Sequence, residues 1–204
     1  LMERGGISER LFDFANALLG RFRGGMAMAG VLACAAFGSI SGSTVATTAT
    51  IAQVAYPEMR RINYSGRLAT AALATGGTMG VLLPPSVTLM VYAILTEQNI
   101  TKMFLAAYIP ALLAAVGYLV AIAVVVRLHP EHAPAAQAAT ANELVASALR
   151  VWPIAAIFLV VFGGIYGGLF TATEGAAIGN LMTFAITLMR GEMTRGKLVA
   201  AIRT

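Results

Sequence analysis

Between Gly24 and Met59 the chain is apolar on both flanks, rich in Gly, Ser and Thr in the middle, and closed at each end by arginines: Arg21 and Arg23 before, Arg60, Arg61 and Arg67 after. Basic flanks mark the cytoplasmic side of a membrane segment, so both ends of this stretch belong on one side and the chain goes in and comes back. Length agrees. About 35 residues of helix reach about 52 Å at 1.5 Å each, whereas two full crossings need about 40 residues before any turn. The expectation is a re-entrant hairpin, residues 24–59, with its tip near mid-membrane in the run Phe37-Gly38-Ser39-Ile40-Ser41-Gly42-Ser43-Thr44-Val45-Ala46-Thr47.

Composition sets the class. The 204 residues are 58% apolar and 11% charged, with a mean hydropathy of +0.79, far from a soluble domain. The formal charge of +5 does not indicate nucleic acid, because the basic residues are spread among short connections rather than gathered on one face. They read as topology signals in a lipid bilayer. The lone cysteine, Cys34, allows no internal disulfide and reads as packing. His129 and His132 lie in an Ala/Pro-rich loop, where the lack of further ligands nearby argues against a metal.

Leu1 to Asp13 interleaves Glu3, Arg4, Glu9, Arg10 and Asp13 before any long apolar run, unlike a signal peptide; the chain is expected to be a piece of a longer protein. Within residues 1–23, the segment 7–19 puts Ile7, Leu11, Phe14 and Leu18 on one helical face, as in an amphipathic interfacial helix. Residues 60–103 are expected to hold a broken transmembrane helix and a turn on the far side. The apolar run 68–95, about 28 residues, is long for one span. It is interrupted by Gly76, Gly77, Gly80 and Pro84-Pro85, which remove donors and disfavour helix at Leu83. A span at 104–127 returns, 128–150 is a cytoplasmic loop with a short helix over 143–150, 151–170 and 171–190 cross again, and 191–204 ends on the cytoplasmic side. Thr171-Ala172-Thr173-Glu174 fits a capping box. This layout places nearly every basic residue after Arg10 on one side and leaves only Lys102 on the other.

A non-helical turn at membrane depth is tolerated only where protein or a watery cavity covers it, which makes the hairpin tip a site candidate. A break at Ser41-Gly42-Ser43 leaves carbonyls free on the first arm and N–H groups free near Thr44 to Ala46 on the second, with Ser43 or Thr44 as the cap. One end attracts a cation and the other an anion. Two interrupted segments in succession are the pattern of a secondary transporter, whose broken ends meet around substrate and ions. No nucleophile–base pair, metal-ligand spacing or phosphate loop is present, so neither an enzyme nor an ATP-driven pump is expected. Glu58, Glu97, Glu131, Glu174 and Glu192 all fall at segment ends or in loops, away from the mid-depth positions of proton relays. Coupling to sodium, held by carbonyls and hydroxyls and with no cofactor, is the expectation.

The hairpin run, Pro57-Glu58-Met59-Arg60 leading to Tyr64, and Gly76-Gly77-Thr78-Met79-Gly80-Val81-Leu82-Leu83-Pro84-Pro85-Ser86 resemble the large membrane subunit of tripartite ATP-independent periplasmic (TRAP) transporters. Gly20-Arg21-Phe22-Arg23-Gly24-Gly25-Met26-Ala27 is similar as well. So is Thr171-Ala172-Thr173-Glu174-Gly175-Ala176-Ala177, with Ala172 where that family usually has proline and Gly175 where it has alanine, departures expected to loosen that helix start.

The resemblance implies an all-α integral membrane protein, part of an elevator-type inverted-repeat transporter in a bacterial inner membrane. It would import an organic acid on a sodium gradient, with a small membrane subunit and a periplasmic substrate-binding protein as partners. It implies that Ser41, Gly42, Ser43, Thr44 and Thr47 form the first hairpin tip and that Gly76, Gly77, Gly80, Pro84, Pro85 and Ser86 form the broken helix facing it. Together they would make about half of the substrate and ion site, with sodium held by the backbone of Ser39, Gly42 and Gly77 and the hydroxyls of Ser43 and Ser86. Two alternatives stay open at this level. One is a related elevator transporter that is proton-coupled or independent of a binding protein; the other is a non-transporting scaffold in which small residues only pack helices.

Overall fold

The computed structural model describes residues 7–134 and 140–189, and every regular element in them is helical. The chain divides into two units. Among the described residues one covers Ser8–Ser147 and the other runs from Ala148 onward.

In the first unit, α1 (Ile7–Leu19) occupies the expected amphipathic segment. Its buried face is turned from the expected one: Ser8, Leu11, Phe12 and Ala15 are buried, while Leu18 points outward. Leu11 belongs to both faces, and Phe12 rather than Phe14 is the buried aromatic, so burial here does not follow side-chain size. Next come α2 (Gly25–Ser41) and α3 (Thr44–Arg61). They fold back on each other, Gly30 lying against Met59 at one end and Gly38 against Thr47 at the other. The reversal is set by Gly42, whose φ of 62° is left-handed, a conformation glycine adopts without a Cβ penalty. Its N–H donates to Gly38 O at 2.8 Å, and the chain re-enters helix two residues later, at Thr44.

Thereafter α4 (Gly66–Gly77) runs along the hairpin and α5 (Met79–Leu82) adds one turn. The chain is then extended at Leu83, with ψ 125°, as a following proline requires. Helix resumes as α6 (Val87–Leu95), so the second half starts two residues after the prolines rather than at them. At the far turn Asn99 caps α7 (Ile100–Leu128), its Oδ1 accepting from Lys102 N at 3.0 Å. One side of α7 packs on α2, α4, α5 and α6, and Ala111 joins Ala35 and Met79 in a small core. The other side presents Leu105, Ile109, Leu112, Leu113, Val116 and Val120 outward, an apolar stripe suited to lipid.

The helix ends are gathered in a definite way. Gly24, before α2, lies against Val126 and Ile122 near the end of α7. The Tyr64 hydroxyl, after α3, accepts from Met26 N at 3.3 Å, satisfying one of the orphan donors at the start of α2. Burial raises the Tyr64 phenol above its usual range, against a smaller opposing effect of the Met26 hydrogen bond. Ser65 N, before α4, donates to His132 O at 2.9 Å. The start of α2, the end of α3, the start of α4 and the end of α7 therefore share one end of the unit, and Arg21, Arg23, Arg60, Arg61, Arg67 and Arg127 belong to those termini. Lys102 sits at the opposite terminus of α7, about 39 Å away along a helix of this rise.

In place of a loop reaching residue 150 and a separate span from 151, one helix, α8 (Ala141–Tyr166), runs through Arg150, Trp152 and Pro153. Its start is a reciprocal capping box: Thr140 N donates to Glu143 Oε2 at 2.8 Å and Glu143 N to Thr140 Oγ1 at 3.4 Å. In the second unit α9 (Ala172–Met189) follows a turn with Gly168 at φ 70°. The box expected there forms, Thr171 N donating to Glu174 Oε2 at 2.8 Å and Glu174 N to Thr171 Oγ1 at 3.3 Å. Gly175 has a packing role beside this cap. A Cβ there would meet Ile165 Cδ1 at 2.8 Å, so glycine lets α9 lie close on α8. Residues 190–204, expected to hold the last basic cluster, fall outside the described residues.

Among the described residues three stretches are long and apolar enough to cross a membrane: Gly66–Leu95, Ile100–Leu128 and Asn142–Tyr166. The first contains the break.

Candidate functional site at two helix breaks

The two interruptions meet. Gly42, at the hairpin tip, faces the second break: a Cβ on it would lie 3.4 Å from Val87 N and 3.6 Å from Pro85 O. Below the tip, a Cβ on Gly38 would lie 2.5 Å from Gly80 Cα, and one on Gly80 would lie 2.9 Å from Thr47 Oγ1 and 3.2 Å from Ser43 O. The position a Cβ would take on Gly77 is already filled by Thr48 Oγ1. Gly76 stands against Val31 and Cys34 in the same way. The glycines of the second motif are thus the contact surface for the first hairpin, and backbone meets backbone where side chains would hold the helices apart.

Each break is finished by a serine. Ser43, extended at φ −128° and ψ 122°, accepts from Ala46 N at 3.3 Å and caps α3. Ser86, at φ −111° and ψ 124°, accepts from Leu89 N at 3.4 Å and caps α6. Of the two caps considered for the hairpin, Ser43 is the one used. Two helix N-termini consequently point into the neighbourhood of Gly42, each with backbone N–H groups beyond those its cap satisfies. Each carries roughly half a positive charge from the aligned peptides. Val45 is 79% exposed and Val87 57% exposed, so both first turns are open on one side.

Other candidate residues have different tasks. Ser41 Oγ and Thr47 Oγ1 are 2.7 Å apart across the turn; Thr47 is fully buried and braces the tip. Ser39 donates to Ala36 O at 2.8 Å within its own helix. Thr44 supplies its carbonyl to the Thr48 hydroxyl at 2.8 Å and lies beside Gly77. Pro84 and Ser86 are fully buried and Pro85 partly so. Of the donors expected for sodium, Ser43 and Ser86 each use one lone pair on a cap. Gly42 stands at the Pro85–Val87 break and Gly77 at the first turn of α3.

Some contributors escaped the sequence reading. Thr48 fills the Gly77 notch, and Tyr118 of α7 shares a hydrogen bond of 3.0 Å with Thr78 Oγ1 between α4 and α5. Nothing local marks either contact. For Thr48 the helical spacing from Thr44 is a weak signal, since a threonine hydroxyl four residues on reaches back to that carbonyl.

The full length of the chain, residues 1–204, matches the family model described as the tripartite ATP-independent periplasmic transporter, DctM component. It is 38% identical over 188 residues to the C4-dicarboxylate TRAP transporter large permease protein DctM of Pseudomonas aeruginosa, covering 92% of this chain and 43% of that protein. It is 36% identical over 186 residues to the protein of the same name from Vibrio cholerae, covering 91% of this chain and 40% of that one. The 2,3-diketo-L-gulonate TRAP transporter large permease protein YiaN of Escherichia coli is 33% identical over 198 residues, covering 95% and 45%. The chain thus spans less than half the length of these relatives, all of them permeases rather than enzymes. With membrane-length apolar helices, two facing helix breaks and a family match along its whole length, this chain is a membrane protein of the DctM component family of tripartite ATP-independent periplasmic transporters.

Proposed function

We propose that this chain supplies the first hairpin and its facing broken helix to the large permease subunit of a sodium-coupled TRAP transporter. That transporter imports an organic acid across a bacterial inner membrane by an elevator movement. The carrying observation is the approach of Gly42 to Pro85 and Val87, which brings two helix N-termini to one place. Converging N–H groups and positive dipole ends suit a carboxylate, and the C-terminal carbonyls of α2 and α4 suit a hard cation such as sodium. A periplasmic binding protein delivers the acid and a small membrane subunit completes the assembly, as the family membership suggests.

The re-entrant placement of α2 and α3 rests on the shared end of their outer termini. Their 17 and 18 residues reach about 25 to 27 Å each, short of a hydrocarbon core of about 30 Å, and α3 is too rich in Thr, Gln, Glu and Arg to face lipid. Single cysteines in a Cys34→Ser background report the sidedness. Phe22 and Gln98 are exposed, and Asn63 is the right probe after the hairpin, because Tyr64 is only 3% exposed and holds the start of α2. With an impermeant thiol reagent on intact cells, positions 22 and 63 are expected to be protected together while 98 labels. Labelling of 22 and 63 from opposite sides would withdraw the hairpin.

Uptake tests the function. The full-length protein, reconstituted with its small subunit and supplied with a substrate-loaded binding protein, is expected to accumulate a carboxylate when sodium is higher outside. Accumulation should stop when potassium replaces sodium. Uptake that persists on a proton gradient alone would overturn sodium coupling.

A further inference from the structure

We propose that His129, Glu131 and His132 form a binding site for a divalent cation of the zinc class at the end of α7, beside the base of the hairpin. Pro130 opens a single 3₁₀ turn, Pro130–His132, directly after the helix, and this tight winding brings three potential ligands round one point. His129 Nδ1 and Glu131 Oε1 are 3.3 Å apart. With a protonated imidazole this is an ion pair; with a neutral one the same spacing suits two ligands on a tetrahedral ion with bonds of about 2.0 Å, roughly 3.3 Å edge to edge. The ligand atoms of all three residues lie within 4.8 Å of one another, so a modest side-chain rotation of the third closes the set. The two imidazole rings meet edge to face with centroids 5.3 Å apart.

An independent observation points to a ligand. His132 Nδ1 is buried and has no hydrogen-bond partner among the described residues. An orphaned buried polar atom costs on the order of 1 to 3 kcal/mol, and an ion bound at that nitrogen would satisfy it. Two imidazoles and one carboxylate suit zinc and its neighbours, whereas magnesium and calcium prefer oxygen ligands throughout. Three protein ligands leave a fourth position for water. The site is not isolated from the rest of the fold, because His132 O accepts from Ser65 N at 2.9 Å. An ion fixing this turn would therefore fix the junction between α3 and α4 to the end of α7.

The test uses the full-length protein purified in detergent with a tag free of histidine and stripped by a chelator. Zinc chloride is titrated against a chromogenic zinc indicator, and cobalt(II) serves as a spectroscopic probe. Wild-type protein is expected to withdraw one more equivalent of zinc from the indicator than a variant carrying His129→Ala, Glu131→Gln and His132→Ala together. The single variants His129→Ala and Glu131→Gln, both at exposed side chains, should each weaken binding at least about tenfold, since each removes one ligand of three. Cobalt should give the intense visible absorption of a tetrahedral site in wild type alone, and zinc should raise the melting temperature of wild type alone. Equal zinc uptake by wild type and the triple variant would overturn the proposal, as would displacement of zinc by a modest excess of magnesium. Melting curves without metal show whether the single variants fold, so a lost signal is attributable to the ligand.

Discussion

Gly38→Val is expected to abolish transport and to cost at or above about 3 kcal/mol of stability, the upper end of what overpacking does. The reason is the identity of the neighbour. A Cβ at residue 38 would lie 2.5 Å from Gly80 Cα and 2.8 Å from Gly80 N, and backbone atoms in the middle of a packed pair of helices cannot rotate aside as a side-chain tip can. The hairpin must then lift away from α4 and α5, taking Gly42 from the Pro85–Val87 break. Both helix N-termini would remain intact, yet they would no longer converge. Comparison with Gly30→Ala isolates the effect, since the nearest atoms there are the mobile ends of Leu73, at 3.0 Å, and Met59, at 3.2 Å. Sodium-driven uptake in proteoliposomes and thermal unfolding in detergent measure the two consequences. Wild-type uptake by Gly38→Val would mean that the close approach is not needed for function.

How much of this could be read from the sequence divides along a physical line. Features set by a few adjacent residues were legible. Ser41-Gly42-Ser43 announces a break with a cap at Ser43 or Thr44, and the turn observed has Gly42 left-handed and Ser43 as the cap. Leu83-Pro84-Pro85 announces a helix stop, although the restart waits for the Ser86 cap. The box at Thr171 and Glu174 forms as expected. The same signature at Thr140 and Glu143 starts α8 at Ala141, and the helix runs unbroken through Pro153. Long membrane helices accommodate an internal proline when neighbours and local adjustments satisfy the freed carbonyl, so Pro153 is a poor boundary marker. The rest depends on contacts between residues far apart in the chain. Gly38 against Gly80, Thr48 in the notch of Gly77 and Tyr118 on Thr78 have no local signature. Glycine content implied close packing without naming partners. The buried face of α1 does not follow side-chain size either: Phe12 rather than Phe14 is buried, along with Ser8 and Ala15.

Val45→Asp separates the anion reading from ordinary packing, because it favours the helix start while opposing the substrate. Val45 is the second residue of α3 and 79% exposed in this chain, so an aspartate there displaces nothing in the described core. At the first turn of a helix a carboxylate interacts favourably with the free N–H groups and the dipole, by about 0.3 to 1 kcal/mol. The start of α3 is therefore expected to be held at least as well as in Val45→Asn. Transport should suffer, since the new charge occupies the positive end that the substrate carboxylate is proposed to use. At a separation of about 6 Å and an effective dielectric constant of about 20, two like charges repel by about 3 kcal/mol, which corresponds to a loss of about a hundredfold in affinity. Val45→Asn is the control: it keeps the size and polarity without the charge and should retain most of the activity. Val87→Asp, at the first turn of α6, should behave as Val45→Asp does if the two termini share one anion. The loss should appear as a raised half-saturating substrate concentration in uptake assays, with the melting temperature of Val45→Asp no lower than that of Val45→Asn. An unaltered half-saturation in both aspartate variants would remove the converging helix ends from the substrate site and leave Gly42 and Val87 as packing alone.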